Sequence, residues 1–271
     1  MNYNNASKMI LLLALSFNYA AAAEGGVSDS DRIAQYREMI SDGNPADFDE
    51  MNGEELWKKP GGPKHATLEK CDLGKGAGVV KGAYAELPRY FKDTNKVQDL
   101  ESRLMTCMSS LQGIPEEEIA ANPFSTEKKK SDISTLATYV VGQSRGVKMA
   151  VSVGHPKEKE AYEIGKLIFN YRAGPYDFAC STCHTTSNVR IRMQDLPNLN
   201  VKNSAQAAYT SWPAYRVSQG LTRSFQWRLN DCFRQQRFPE PGFASEVTID
   251  LTMFLAVSAN GAEYAGPGLK R

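Results

Sequence analysis

The sequence predicts a mostly α-helical protein with two successive domains, residues 24–150 and 151–271. Apolar residues recur every three or four positions in several segments, which is the spacing of an amphipathic helix. Glycine and proline residues separate these segments. A group of such breaks, Gly146, Gly154 and Pro156, marks a boundary near residue 150. A chain of 271 residues is long enough for two small domains.

Helices in the first domain are predicted over residues 28–41, 52–58 and 98–111, from Pro115 onward, and over 131–144. Each is followed by a proline, a glycine or both, which end helices. The glycine-rich stretch 70–82 is predicted to be a loop. The residues predicted to face inward are Leu100, Leu104 and Leu111 in one helix, and Ile133, Leu136, Tyr139 and Val140 in another.

Two longer helices are predicted in the second domain, over residues 157–171 and 245–258. Pro156 is suited to the start of the first helix, and Gly174-Pro175 ends it. The apolar positions are Tyr162, Leu167, Ile168 and Phe169 in the first helix, and Val247, Leu251, Phe254 and Leu255 in the second.

The first 23 residues have the pattern of a secretory signal peptide. Lys8 is their only charge, Met9–Phe17 is a short apolar core, and Ala21–Ala23 offers a cleavage site before Glu24. The apolar core is too short to span a bilayer. The sequence therefore predicts export to the periplasm or a similar compartment, with no membrane anchor. A formal net charge of +1 gives no indication of a nucleic-acid partner.

Cys180-Ser181-Thr182-Cys183-His184 is a Cys-x-x-Cys-His motif, the attachment site of a c-type haem. The two thiols bond to the haem vinyl groups, and the histidine binds iron as the proximal ligand. A zinc half-site and a redox dithiol are the alternatives. Zinc would require further Cys or His ligands, and only Cys232 lies beyond His184.

The segments around this motif predict a cytochrome c domain over residues 151–271. A helix containing Gly165 and Phe169, then a short loop, precedes the motif. This order is typical of the start of class I cytochromes c. In such domains the first helix packs against the last one, here the helix predicted over 245–258.

The remaining cysteines have different predicted roles. In an oxidising compartment, Cys71 and Cys107 are most simply a disulfide, which leaves Cys232 without a partner. Cys232 is favoured as the sixth iron ligand, as a thiolate. Met193 is too near His184 in sequence to reach the opposite face of the haem easily, and Met253 falls in the last predicted helix. A buried, inert thiol is the alternative for Cys232.

Four arginines surround Cys232 in sequence: Arg223, Arg228, Arg234 and Arg237. If the segment is helical, Arg228 shares a helix face with Cys232. The positive charge favours a thiolate and attracts a small oxyanion. A solvated basic helix face is the alternative. His65 and His155 are interpreted as ordinary surface or loop residues.

Four segments carry a resemblance to a known family: residues 68–74, 101–104, 180–184 and 232–237. They resemble the SoxA family, the A subunits of the SoxAX cytochromes of the periplasmic sulfur-oxidising pathway. The resemblance covers nearly the whole chain after residue 23. It implies an L-cysteine S-thiosulfotransferase that joins thiosulfate to a cysteine of a SoxYZ-like carrier. Two electrons then leave to a SoxX-like cytochrome c subunit.

The resemblance also assigns roles to individual residues. Cys232 matches the family's active-site cysteine, an iron ligand that often carries a persulfide, and Arg228 matches its active-site arginine. A mechanism built on these roles adds Arg234 or Arg237, from the arginine cluster, as a hypothetical second contact to thiosulfate. His184 matches the proximal ligand, and Cys180 and Cys183 match the thioether sites.

Some members of the family carry a second haem in the N-terminal domain. Residues 24–150 contain no Cys-x-x-Cys-His motif, and Cys71 and Cys107 match the single-haem members. The first domain is therefore predicted to be a degenerate, haem-less cytochrome c-like domain, with one covalent haem in the chain. An electron-transfer cytochrome c with Met193 or Met253 as ligand, or a non-catalytic haem scaffold, are the alternatives.

Overall fold

The structure, a computed structural model, describes residues 43–191 and 194–271. The predicted signal peptide, the helix predicted over 28–41 and Met193 lie outside the described residues. Within those residues, no helix has the length and apolar character needed to cross a membrane.

Helices dominate the regular secondary structure, as predicted. In chain order the helices are α1 (Ala46–Lys58), α2 (Leu100–Cys107), α3 (Glu116–Ala121), α4 (Asp132–Gly142), α5 (Pro156–Asn170), α6 (Cys180–His184), α7 (Lys202–Thr210), α8 (Phe225–Gln235) and α9 (Glu246–Ser258). The short strands are β1 (Arg89–Phe91), β2 (Lys96–Gln98), β3 (Arg190–Ile191), β4 (Gln194–Asp195), β5 (Ala214–Arg216), β6 (Leu221–Arg223) and β7 (Gly268–Lys270).

The helix predicted over 98–111 differs most from the structure. Its α-helical part, α2, ends at Cys107, and a π-helical turn follows over Met108–Gln112. Gly113 ends this turn with φ of 76°, a left-handed conformation that glycine adopts without steric cost. The other predicted helices in the described residues are confirmed, with shifted ends. The predicted inward-facing residues are buried except Leu111, which is half-buried.

Helices α5 and α9 pack against each other, as the sequence predicts for a cytochrome c domain. Gly165 lies where they cross. A Cβ atom at this position would lie 1.9 Å from the backbone oxygen of Asp250, so only glycine allows this approach. The rings of Phe169 and Phe254 pack beside the crossing, with centroids 5.2 Å apart. Val247 and Leu251 share a face of α9, but Val247 is exposed.

A disulfide and buried apolar side chains hold the first half of the chain, up to residue 150, together. Cys71 and Cys107 form the predicted disulfide, and α1 packs against α4. The hydrophobic core continues into the second half of the chain, because Leu104 and Val140 belong to the same buried cluster as Leu229 and Met253. The two halves therefore share buried side chains, and their division into two domains stays a prediction.

A small sheet precedes the helix that carries Cys232. Strand β5 lies at its centre, antiparallel to β6 and parallel to β7. The chain leaves β6 and enters α8 within two residues. Side chains of β5 and of α8 can therefore approach one another although strand β6 separates them in sequence.

Candidate haem and sulfur site

Helix α6 presents the attachment motif. The backbone N–H of Ala179 donates to Oγ1 of Thr182 (3.0 Å), and the Thr182 N–H donates to the Ala179 carbonyl (3.1 Å). These bonds fix the start of the helical turn. Cys180 and Cys183 are half-buried free thiols, and their spacing of three residues places them on adjacent positions of one helix face.

His184 is oriented by one backbone group. Its Nδ1 lies 3.0 Å from the carbonyl oxygen of Pro197, which can only accept, so Nδ1 carries the proton. Nε2 is then left as the metal-binding nitrogen. Burial lowers the pKa of His184 below its ordinary value, and Arg228 also lowers it. The imidazole is therefore held in the neutral form that binds metals.

Cys232 lies close to the attachment motif. Burial is the main cause that raises the pKa of Cys180 to about 12, and the neighbouring Cys232 is the second. Cys183 in turn raises the pKa of Cys232. Such mutual effects require that the thiols are neighbours. Cys232 is not in a disulfide, so a third free thiol lies within electrostatic range of the attachment motif, as the prediction of a sixth ligand requires.

The positive charge of the arginines does not by itself decide whether Cys232 is a thiol or a thiolate. Arg228 lowers the pKa of Cys232, as expected, but burial raises it and is the larger cause. Asp231 also raises it. The expectation that four arginines favour the thiolate therefore needs correction: in the protein alone, burial outweighs Arg228.

Local hydrogen bonds fix the start of α8 and the guanidinium of Arg228, which shares a helix face with Cys232. Ser224 caps α8 by accepting a hydrogen bond from the backbone N–H of Trp227 (3.3 Å). The buried carboxylate of Asp231 accepts from Arg228 Nη1 (3.1 Å) and from Gln235 Nε2 (2.7 Å). Asp231 thus restricts the position of the Arg228 guanidinium beside Cys232.

The other predicted arginines have different surroundings. Arg234 is mostly exposed and pairs with Asp231. Arg237 has φ of 55° and lies over the Tyr176 ring, 5.6 Å from its centroid. Arg223 stacks on the Trp227 ring (4.6 Å) and donates to the backbone oxygen of Ser125. Only Arg228 among the four lowers the pKa of Cys232.

Arg216 is a site residue that the sequence reasoning missed. It lies in β5, and its Nε is buried without a hydrogen-bond partner. Burial lowers the pKa of Arg216, and Arg228 lowers it further, so the two guanidinium groups are neighbours. Two adjacent guanidiniums with an unsatisfied N–H form a site for an oxyanion. Because strand pairing creates this neighbourhood, no local motif signals it.

The remaining candidates have structural roles or lie outside the described residues. Met253 is fully buried in the hydrophobic core, as expected for a packing residue. His155 caps α5 and stacks on Tyr90 at 3.7 Å between centroids, and His65 is exposed. Both histidines fit the interpretation made from the sequence.

The arrangement fits a covalently attached haem. Two free thiols lie on one helical turn, and the adjacent imidazole has an available Nε2. A third free thiol, from α8, lies beside them. Imidazole and thiolate are both axial ligands of haem iron in proteins.

Comparisons with known proteins find relatives over most of the chain. A family model described as "SoxA/TsdA, cytochrome c domain" matches residues 52–149. The L-cysteine S-thiosulfotransferase subunit SoxA of Hydrogenophilus thermoluteolus is 50% identical over 267 residues, which cover 96% of this chain and 97% of the relative. The protein of the same name from Hydrogenobacter thermophilus is 33% identical over 228 residues, 84% of this chain and 82% of the relative.

A solved structure shows the same fold. The crystal structure of SoxXA from P. pantotrophus matches with a TM-score of 0.71 and 20% sequence identity. The match covers 88% of this chain and 84% of that chain.

Proposed function

The chain belongs to the SoxA family of L-cysteine S-thiosulfotransferase subunits, and from this premise we propose that Cys232 is the residue that receives thiosulfate. The protein is an enzyme of thiosulfate oxidation that contains haem c. One observation carries the proposal for Cys232. It is a free thiol beside Cys180 and Cys183, and Arg228 acts on it electrostatically.

In this proposal Cys180 and Cys183 would hold one haem through thioether bonds, and His184 and Cys232 would bind its iron. The haem supplies a path for electrons to leave the site. Arg228 and Arg216 bind the anionic oxygens of thiosulfate, because a guanidinium matches an oxyanion in charge and geometry. Asp231 keeps Arg228 oriented towards Cys232.

The first proposed step is oxidative. The Cys232 thiolate and the terminal sulfur of thiosulfate form a sulfur–sulfur bond, giving Cys232–S–S–SO₃⁻. Two electrons are released, and c-type cytochrome haems accept them one at a time, each haem taking one electron. In the second step a cysteine thiolate of a sulfur-carrier protein attacks the sulfur that bears the sulfonate. That sulfur and its sulfonate move to the carrier, and Cys232 leaves as a thiolate.

The proposed partners follow from this chemistry. A SoxX-like cytochrome c subunit accepts the electrons, and a SoxYZ-like carrier accepts the thiosulfonate group. We propose a single haem, because Cys71 and Cys107 are disulfide-bonded and residues 24–150 lack an attachment motif. The first half is then a haem-less cytochrome c-like domain. Residues 1–23 direct export to the periplasm and are removed near Ala23.

Replacing Cys232 by alanine tests the proposal. We expect the variant to lose thiosulfate conjugation by about a thousand-fold or more, because the nucleophile is absent. Covalent haem should remain, since Cys180 and Cys183 are intact. Turnover with thiosulfate and a thiol acceptor measures the first result, and mass spectrometry of the purified protein measures the second.

Arg172→Lys is the matched control, because Arg172 is exposed and its ion pair is with the exposed Asp177. It should retain full turnover. Full turnover in the Cys232→Ala variant would refute the proposed role. Low-temperature electron paramagnetic resonance then tests the ligand separately, since histidine–thiolate and histidine–methionine haems give different low-spin signals.

A plain electron carrier is the less favoured function. It would require a methionine ligand, and Met253 is packed in the hydrophobic core among apolar side chains.

A further inference from the structure

Residues 101–104 are among the most specific parts of the family resemblance, but the proposed reaction gives them no role. In the structure Glu101 is buried, and so is Asp99, the residue that caps α2. Asp99 Oδ1 accepts hydrogen bonds from the Ser102 N–H (3.0 Å) and from its hydroxyl (2.6 Å). The other Asp99 oxygen, Oδ2, is directed to a residue from the second half of the chain.

That residue is Gln226, near the start of α8, the helix that carries Arg228 and Cys232. Its side chain is completely buried. Gln226 Nε2 donates to Asp99 Oδ2 (2.6 Å), and Gln226 Oε1 accepts from the backbone N–H of Ala244 (2.9 Å). The side-chain amide of Gln226 therefore has both of its polar groups hydrogen-bonded. Its nitrogen donates to Asp99 of the first half of the chain, and its oxygen accepts from Ala244 of the second half.

Glu101 contacts the same helix end. Glu101 Oε1 accepts from the Gln226 backbone N–H at 3.4 Å, and the Ser224 side chain lies beside it. The first backbone N–H groups of a helix lack partners within the helix. A carboxyl oxygen at this end accepts a hydrogen bond from one of them, whether or not the carboxyl is ionised. The carboxyl comes from α2, about 125 residues away.

Aromatic rings surround the contact between Glu101 and the start of α8. Tyr209 of α7 stacks on Tyr84 (6.2 Å between centroids) and meets Phe225, the first residue of α8, edge to face at 4.8 Å. Tyr264 lies against Tyr84 at 5.0 Å. Neither Asp99 nor Glu101 forms an ion pair with a lysine or arginine among residues 43–191 and 194–271. The carboxyls therefore act by hydrogen bonding in an apolar, aromatic environment.

We propose that Asp99 and Glu101 are positioning residues that fix the N-terminal end of α8, and so hold Arg228 and Cys232 against the attachment motif. The inference deepens the proposed function and rests on its assignment of Cys232 and Arg228. It gives the first half of the chain a task in the reaction. That half supplies the buried acceptors without which the active-site helix begins with unsatisfied polar groups.

Two variants test the anchor in the full-length, haem-containing protein. Gln226→Met fills the same space but leaves Asp99 Oδ2 without its donor, and Glu101→Ala removes the acceptor at the helix end. Asp49→Asn is the control, because Asp49 is a buried carboxylate of the same half that binds Lys130 instead of α8 (2.8 Å).

Amide hydrogen–deuterium exchange measures the local effect. We expect exchange within residues 225–235 to become about ten-fold faster in both variants, with little change in α1 and α4. The control should leave residues 225–235 unchanged. Electron paramagnetic resonance of the same samples should show a mixture of axial ligation states in both variants, since Cys232 is no longer held in one position.

Equal acceleration of exchange in α1, α4 and α8 would overturn the inference, because it would indicate only a general loss of stability. Unchanged exchange in α8 would overturn it as well. The exchange experiment does not depend on the chemistry of Cys232. If Cys232→Ala retained turnover, the proposed function would fail while the anchoring of α8 would still be decided by exchange.

Discussion

Arg216 and Arg228 bring two guanidinium groups close together from different elements, a strand and a helix. Like charges at short distance repel, and burial removes the water that would screen them. Asp231 compensates Arg228 through a direct hydrogen bond, whereas Arg216 Nε has no hydrogen-bond partner. A bound oxyanion would neutralise this arrangement, so we expect Arg216 to contribute to thiosulfate binding.

Replacing Arg216 by glutamine should raise the KM for thiosulfate about ten-fold or more, because a hydrogen bond to a charged group contributes about 1.5–3 kcal/mol. Steady-state kinetics across thiosulfate concentrations measure this. Arg172→Gln serves as the control, since its ion pair with Asp177 is exposed. If the anion at Arg216 is a haem propionate instead, the haem potential would shift and the KM would not. That result would contradict the prediction.

At the scale of single elements, α8 and the α5–α9 pair perform different tasks. Helix α8 carries the side chains that we propose to be reactive, and it places Arg228 and Cys232 on one face by their spacing of four residues. Helices α5 and α9 form the frame that supports the attachment motif, since α6 packs against α5. The close approach of α5 and α9 depends on Gly165.

Gly165→Ala should destabilise the protein by about 1–3 kcal/mol, because the added methyl group overlaps the Asp250 carbonyl and forces the helices apart. Chemical denaturation of the haem-containing protein measures the change in the free energy of unfolding. Gly43→Ala is the control, since no atom of the described residues, apart from its chain neighbours, lies within 4 Å of the corresponding position. Equal stability of the Gly165 variant and the wild type would contradict the close-packed crossing.

At the scale of the whole molecule, the two halves are joined by apolar and by polar contacts. Their side chains share one hydrophobic cluster, and the buried carboxyls of Asp99 and Glu101 meet the start of α8. Burial, and then the neighbouring Asp99, raise the pKa of Glu101 from its ordinary 4.5 to about 8. Tyr84, Tyr209 and Tyr264 also face this group.

This raised pKa predicts a stability that falls with pH. Between about pH 4.5 and 8, the folded protein keeps the Glu101 proton and the unfolded chain loses it, so rising pH favours unfolding. One such proton gives a slope of at most about 1.4 kcal/mol per pH unit. Glu101→Gln should flatten the dependence of the unfolding free energy on pH over this range.

Urea denaturation at several pH values measures the slope. Asp250 makes a separate contribution of the same sign, because burial raises its pKa to about 7. Asp250→Asn is therefore the comparison variant, and its effect should add to that of Glu101→Gln since the two groups lie in different parts of the fold. An unchanged slope in Glu101→Gln would show that Glu101 is ionised in the folded protein at neutral pH.

The sequence by itself determined the features that depend on local spacing. Five consecutive residues, Cys180 to His184, predict the haem attachment site, and helical periodicity together with glycine and proline breaks defined most helices. The disulfide between Cys71 and Cys107 followed from the cysteine count and the predicted compartment. Arg228 and Cys232 could be paired because both lie on one helix.

Only the tertiary structure decided the contacts between distant segments. The proximity of Arg216 to Arg228 depends on how β5 lies beside α8. The contact of Asp99 and Glu101 with Gln226 joins residues more than 120 positions apart. The protonation of Cys232 likewise depends on burial, which outweighs Arg228. Such effects arise from long-range packing and desolvation, and neither leaves a periodic or local pattern in the sequence.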